Sequence, residues 1–193
     1  QMSNDKIGII GQGFVGTAIR EGMKNHFTIE TYDKFKEELS SCSSLREVCE
    51  KVHIVFTCLP TPMKKTGECD LSILEETVRE INGFNLGNIV VIKSTVIPGT
   101  TERLNEECEN VDIVFNPEFL TEANYIDDFK NQNRIIIGGP RPATTTVKNM
   151  FRKVFQKTPI VKTGSKTAES VKYFINRFLA TKVSFANEFK QIC

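Results

Sequence analysis

Lys6-Ile7-Gly8-Ile9-Ile10-Gly11-Gln12-Gly13-Phe14-Val15-Gly16 decides the fold. A short β-branched run ends in three glycines spaced G-x-G-x-x-G, and apolar residues at helical spacing follow from Phe14 to Lys24. Each glycine has a distinct task in such a strand-turn-helix unit. Gly11 permits the tight turn, Gly13 lets another group approach the backbone, and Gly16 allows close packing of the helix on the strand. The helix N-terminus then presents free N–H groups and a positive dipole end, which suits a pyrophosphate. The plain alternative is that the glycines serve only the turn.

Outward from this unit, apolar runs rich in Ile and Val recur between helical patterns. Strands are predicted at 6–10, 28–32, 53–59, 88–94, 112–116, 134–138 and 159–161, and helices at 14–24, 45–51, 71–81, 100–108 and 143–155. Continuous apolar strands alternating with helices indicate an α/β protein whose parallel strands are buried on both faces. The expected architecture is a Rossmann-like, doubly wound, mostly parallel sheet over 1–165. Asp33 closes the second strand about twenty residues after the glycines, where a carboxylate accepts hydrogen bonds from the hydroxyls of an adenosine ribose. It would repel a 2′-phosphate and no Arg directly follows it, so NAD is expected rather than NADP. Asp33 also admits a simpler reading, as a surface carboxylate at a strand end.

From Thr167 to Ile192 there is neither Gly nor Pro. Val171, Phe174, Ile175, Phe178, Leu179, Val183, Ala186 and Phe189 mark one helical stripe, so 166–193 reads as the start of one long helix. Its distal apolar face has no partner in the sequence, which leads us to expect a truncated chain or an obligate interface, with a second domain absent. Polar residues 63–69 read as a loop, with Asp70 or Ser72 capping the next helix.

Composition limits the partners. The 193 residues suit one domain that hides on the order of 70% of its unfolded surface. Twenty-five basic against 24 acidic residues leave a net charge of +1, without a basic tract for nucleic acid or anionic lipid. No apolar run approaches the roughly 20 residues that cross a bilayer, and the N-terminus lacks the apolar core of a signal peptide. A cytoplasmic protein with a small-molecule partner is expected, free of nucleic acid and membrane. Gln1 ahead of Met2 reads as a residue added before the natural start. The 6 cysteines form no CxxC pair and no cluster of metal-ligand spacing, so no metal site is expected.

Four further segments occur in order: Cys58-Leu59-Pro60-Thr61-Pro62 followed by Gly67 and Asp70-Leu71-Ser72; Lys93-Ser94-Thr95-Val96-Ile97-Pro98-Gly99-Thr100-Thr101; Asn116-Pro117-Glu118-Phe119-Leu120-Thr121-Glu122-Ala123; and Ala168-Glu169-Ser170-Val171-Lys172-Tyr173-Phe174-Ile175-Asn176 running on to Phe185-Ala186-Asn187-Glu188. With the glycine motif they resemble the N-terminal half of the UDP-glucose/GDP-mannose dehydrogenase family over essentially the whole chain. The resemblance implies oxidation of the C6 alcohol of a nucleotide sugar, UDP-glucose or a relative, to a carboxylate. Two NAD are used per turnover, through a thiohemiacetal and a thioester on a cysteine.

The same resemblance assigns roles by position. Gly11, Gly13, Phe14, Val15, Gly16, Asp33, Pro60, Thr61 and Thr95 would hold the cofactor. Lys172 and Asn176, one helical turn apart, would converge on a developing oxyanion. Glu118, at the carboxyl edge of a strand, would activate water; Thr95 would hold a water at the reactive centre; and Glu122 would lie near the sugar. Sugar contacts would come from Glu118, Lys172, Asn176 and the backbone of Phe119 and Leu120. Without the resemblance, Lys172 and Asn176 read as a solvated Lys and a surface Asn, and Glu122 as an exposed acid at a helix start.

The family's nucleophilic cysteine lies downstream of the long helix in a glycine-flanked motif. None of the six cysteines matches it, and Cys193 reads as a chance terminal residue, so the chain is expected to bind NAD without completing turnover. The stretch between Asp33 and His53 is shorter than usual for the family, which leaves the sugar open. A homodimer through the long helix is the implied assembly. Competing readings are a 3-hydroxyacid-type dehydrogenase, which shares the glycine motif and a Lys and Asn four apart on a long helix, and a non-catalytic NAD-binding module.

Overall fold

A computed structural model describes residues 5–192, which form a seven-stranded sheet in the order β2-β1-β3-β4-β5-β6-β7. The elements in chain order are β1 (Lys6–Ile10), α1 (Phe14–Met23), β2 (Thr28–Tyr32), α2 (Leu45–Lys51), β3 (Ile54–Thr57), α3 (Ser72–Gly83), β4 (Ile89–Ile92), α4 (Thr100–Glu107), β5 (Asp112–Phe115), α5 (Tyr125–Lys130), β6 (Ile135–Gly138), α6 (Ala143–Val154), β7 (Ile160–Thr163) and α7 (Ser165–Ile192). All neighbours pair parallel except β5 and β6, which meet antiparallel at Phe115 and Gly138. The expected α/β alternation is present.

The apolar strands are buried on both faces because alternate side chains enter two separate cores. Ile7, Ile9, Phe56, Val91 and Val114 join one core with residues of α1, α5 and α6. Val55, Val90, Ile92, Ile113 and Phe115 join the other with α2, α3 and α4. Gly8 at the centre of β1 gives α2 its close approach, since a Cβ there would lie 2.6 Å from Val48 Cγ1. The chain leaves β1 for β2 on one side and then places β3 on the other. This reversal opens a crevice beyond the carboxyl ends of β1 and β3, where open α/β sheets bind ligands.

Several boundaries differ from expectation. β3 and β4 run Ile54–Thr57 and Ile89–Ile92, shorter than 53–59 and 88–94, because the chain peels away to form the loops of the crevice. β7 ends at Thr163 and α7 begins at Ser165, with Gly164 as the break. The expected cap at Asp70 or Ser72 is not seen: the N-cap of α3 is Leu71, which has no side-chain cap, and the Asp70 carboxylate just ahead of it accepts hydrogen bonds from the backbone N–H (3.0 Å) and the hydroxyl (2.7 Å) of Ser72, the first helical residue. Two elements lacked a sequence signal. A 3-10 turn spans Glu37–Leu39, and six-residue α5 is too short to show periodicity. α5 is held by buried Phe129, whose ring meets Phe155 edge-on at 5.5 Å and packs over Gly22 of α1.

The stripe on α7 is not one uniform face. Val171 and Ile175 are half-buried, whereas Phe174, Phe178, Leu179, Val183 and Ala186 are exposed; outside the stripe, Ala168 is buried and Phe185 exposed. Phe174 and Phe178 stack at 6.2 Å. The start of α7 lies so close over β6 that a Cβ at Gly138 would come within 2.7 Å of Ala168 Cβ. The readings of Gln1, Phe189 and Cys193 fall outside the described residues or side chains. No described helix is long and apolar enough to cross a membrane, and no group of three His, Cys, Asp or Glu among the described residues could hold a metal ion.

Candidate cofactor and active site

A cleft of about 870 Å³ opens at the crevice, within the range of small-molecule sites. Its lining includes Gly11, Gly13, Phe14, Val15, Asp33, Pro60, Thr61, Thr95 and Glu118. Gly11 takes φ +91°, and a Cβ there would strike the Cys58 carbonyl, so the turn admits only glycine. Gly16 is buried beneath the loop, where a Cβ would fall on the Gly11 carbonyl oxygen. Gly13 differs from both: it is extended (φ −76°, ψ −165°), and nothing lies within 4 Å of its Cβ position.

α1 has no side-chain N-cap and no acidic residue in its first turn, so its N-terminal N–H groups and dipole are free to meet an anion. Asp33 stands beside them. Its Oδ2 accepts from the Gln12 N–H (2.6 Å), and its Oδ1 from the N–H groups of Phe35 (2.9 Å) and Lys36 (3.1 Å). Lys36 Nζ donates to the Gln12 carbonyl at 3.1 Å. Asp33 therefore ties the glycine loop to the end of β2. A carboxylate offers about four lone-pair sites, so it retains acceptor capacity for a ribose. Open space at Gly13, an uncapped helix and a neighbouring carboxylate together fit a dinucleotide.

At the far end of the cleft, α7 meets the β4–α4 and β5–α5 loops. Lys172 is 6% exposed, which corrects its reading as a solvated lysine. Its Nζ donates to the Glu118 backbone carbonyl (2.5 Å) and to Glu118 Oε1 (3.1 Å), and lies 5.5 Å from the centre of the Phe119 ring. Glu118 Oε2 accepts from the Leu120 N–H at 2.7 Å, which orients the carboxylate. One turn along α7, Asn176 Nδ2 donates to Thr95 Oγ1 at 3.4 Å. Thr61 Oγ1 donates to the Thr95 carbonyl at 2.8 Å, which links the 60–62 loop to the same point. Thus Lys172, Asn176, Glu118, Thr95 and Thr61 converge. Glu122 is exposed in the turn before α5, outside this group.

Two buried groups escaped the sequence reading. Lys93, directly after β4, is 4% exposed and donates to Asn116 Oδ1 at 2.7 Å. A lysine closing a fully apolar strand was the available signal. Burial pulls its ammonium down to about 8, against the opposing pull of the Glu118 charge. Glu169 is fully buried, three residues before Lys172 on the same helical stripe.

The shift of Lys93 has a definite sign. Its folded value lies below its unfolded value, so between about pH 8 and 10.5 the unfolded chain binds more protons and folding stability rises with pH. Cys49 and Cys58, pushed up to about 12 by burial, act oppositely above pH 9, so the difference from Lys93→Met isolates the lysine. Between pH 7.5 and 9, wild type should gain on the variant, by no more than about 1.4 kcal/mol per pH unit. Urea unfolding of both across that range checks this, and parallel curves would contradict it.

Fold and site together define a nucleotide-binding α/β domain whose following helix brings a cation and an amide to the end of the cofactor cleft. Residues 29–158 match the UDP-glucose/GDP-mannose dehydrogenase family, NAD binding domain, and residues 166–193 match that family's central domain. The chain belongs to the UDP-glucose/GDP-mannose dehydrogenase family, and its sheet is the family's NAD-binding domain. UDP-glucose 6-dehydrogenase TuaD of Bacillus subtilis is 35% identical over 151 residues, which are 72% of this chain and 32% of that protein. A UDP-glucose dehydrogenase structure from the hyperthermophilic archaeon Pyrobaculum islandicum superposes with a TM-score of 0.82 at 27% identity, over 97% of this chain and 52% of that one. A 3-hydroxyisobutyrate dehydrogenase structure from Mycobacterium tuberculosis shares the fold at 13% identity and a TM-score of 0.75, over 96% of this chain and 64% of that one. The chain thus spans about a third of the curated relative and half of the archaeal structure.

Proposed function

We propose that this chain is the NAD-binding half of a nucleotide-sugar 6-dehydrogenase that converts UDP-glucose, or a related nucleotide sugar, to the uronic acid with two NAD. The observation that carries this reading is the meeting of Lys172 and Asn176 on α7 with Glu118 and Thr95 at the end of the cofactor cleft. NAD supplies the two-electron acceptor when bound. The protein's residues supply the rest.

The Lys172 ammonium and the Asn176 amide donate to the oxygen that gains negative charge as C6 passes through tetrahedral states, in a site where such donors act with little reorganisation. Glu118 takes a proton from the water that hydrolyses the thioester, and Thr95 holds that water. The backbone of Phe119 and Leu120 grips the sugar, with Glu122 nearby. The nucleophilic thiol is none of the cysteines at the cleft. Cys58 lines it, but burial pushes its thiol up to about 12, which leaves it protonated at neutral pH. Cys69 lies outside the cleft lining, with its thiol 3.3 Å from the Thr61 carbonyl oxygen. In line with the family resemblance, a glycine-flanked cysteine outside this segment supplies the nucleophile, and the segment by itself binds NAD without turning over. The exposed apolar side chains of α7 support a homodimer built through that helix.

NADH stoichiometry tests the proposal. The whole enzyme carrying this segment should release two NADH per UDP-glucose, or per related nucleotide sugar. The fold is shared with 3-hydroxyisobutyrate dehydrogenase, so the fold alone does not separate this reading from a 3-hydroxyacid-type dehydrogenase. One NADH per 3-hydroxyacid, with no turnover of any nucleotide sugar, would establish that rival instead.

A further inference from the structure

Glu169 is fully buried, and among the described residues no cation forms a salt bridge with it; its partners are the N-terminal donors of α4. Oε2 accepts from the Gly99 N–H at 2.6 Å, and Oε1 from the N–H (2.8 Å) and hydroxyl (2.5 Å) of Thr101. A helix usually receives such a cap from its own N-cap side chain. Here the N-cap is Gly99, held at φ +99°, which has no side chain to offer. The carboxylate of a distant helix takes its place, favoured by the α4 dipole.

The connection has a consequence for the site. Glu169, Lys172 and Asn176 stand at i, i+3 and i+7 on α7, one face of the helix. Gly99 ends the loop that carries Thr95, the partner of Asn176, and Thr101 lies in the first turn of α4 that follows it. One buried carboxylate thus pins the rotation and axial position of α7 against the loop its next two turns must address. Lys166 adds a peripheral tie to Glu102 at 3.2 Å, but on an exposed surface where such pairs contribute little.

We infer that Glu169 is a positioning residue: by capping α4 from α7 it sets Lys172 against Glu118 and Asn176 against Thr95. This inference rests on the proposed dehydrogenase reading for its activity readout. Gln is the informative substitute, because its amide keeps one acceptor oxygen but turns N–H groups toward the Gly99 donor.

The test uses the whole enzyme carrying this segment. Glu169→Gln is expected to lower kcat at least tenfold with the NAD dissociation constant unchanged within twofold. It should also move a limb of the kcat–pH profile, which loss of folded protein alone would not do. Combined with Lys172→Met it should cost less than the product of the two single losses, because the part exerted through Lys172 is already gone and only the part exerted through Asn176 remains. If Glu169→Gln does not fold, Thr101→Val removes one donor and should show a smaller loss with the same non-additivity. Unchanged kcat in a folded variant, or losses that multiply fully in the double variant, would overturn the inference. Should the wild type turn over no nucleotide sugar, the dehydrogenase reading fails separately. The substitution is then read in this chain from the side-chain amide NMR signals of Asn176. Movement of those signals supports positioning, and no movement overturns it.

Discussion

Alanine at Gly13 is expected to leave the thermal midpoint within about 2 °C of wild type and to weaken NAD binding at least about tenfold. The backbone there is extended, which any residue adopts, and the added methyl meets nothing in the protein. It would instead occupy the space through which the pyrophosphate reaches the N-terminus of α1. Valine at Gly16 should do the opposite. Its side chain would be forced onto the Gly11 carbonyl in a buried contact, and overpacking of that kind costs about 1–3 kcal/mol or more. For a domain of this size the midpoint should fall by about 2–12 °C. Calorimetric melting with NAD titration reads both variants. If Gly13→Ala bound NAD as wild type does, the glycine would serve only the turn.

The second large effect is at Lys172. In the whole enzyme Lys172→Met should lower kcat by about 10²–10³, the range seen when one donor to a developing oxyanion is removed, with little change in NAD affinity. Stability should fall as well, because the variant leaves the half-buried Glu118 carboxylate without its cation. The two losses have different origins and can be separated. Adding Glu118→Gln should restore part of the midpoint while restoring none of the turnover. Steady-state kinetics and melting of the single and double variants decide this. Full turnover in Lys172→Met would remove the lysine from the chemistry.

The strands and the nucleotide end of the site were legible because they depend on local chemistry. β-branched runs declare buried strands, and G-x-G-x-x-G between a strand and a helix declares an anion site. Helix α5 was not legible, since its stability comes from Phe129 packing on Phe155 and Gly22, contacts that no six-residue window contains. Lys172 shows the limit most clearly. As a residue in a helix it reads as solvated, and its burial comes from tertiary contacts: Gly138 lets the start of α7 lie close over β6, and Lys172 meets Glu118 and the Phe119 ring. Glu169 was passed over for the same reason: its partners lie some seventy residues upstream, and only the tertiary fold makes it a cap. Asp33 was legible as a ribose acceptor, but its grip on the Gln12 N–H emerges only when β1 and β2 lie side by side.

Asp33 thus serves both the glycine loop and the ribose. The central claim is that the free N-terminus of α1 and the Asp33 carboxylate make this cleft a site for NAD. Isothermal titration of the chain with NAD and NADP, for wild type and Asp33→Ala, tests it most directly. The account predicts saturable NAD binding by wild type, weaker binding of NADP because its 2′-phosphate meets a carboxylate, and loss of most NAD affinity in the variant. Equal binding of NAD and NADP by wild type, or undiminished NAD binding by Asp33→Ala, would contradict it.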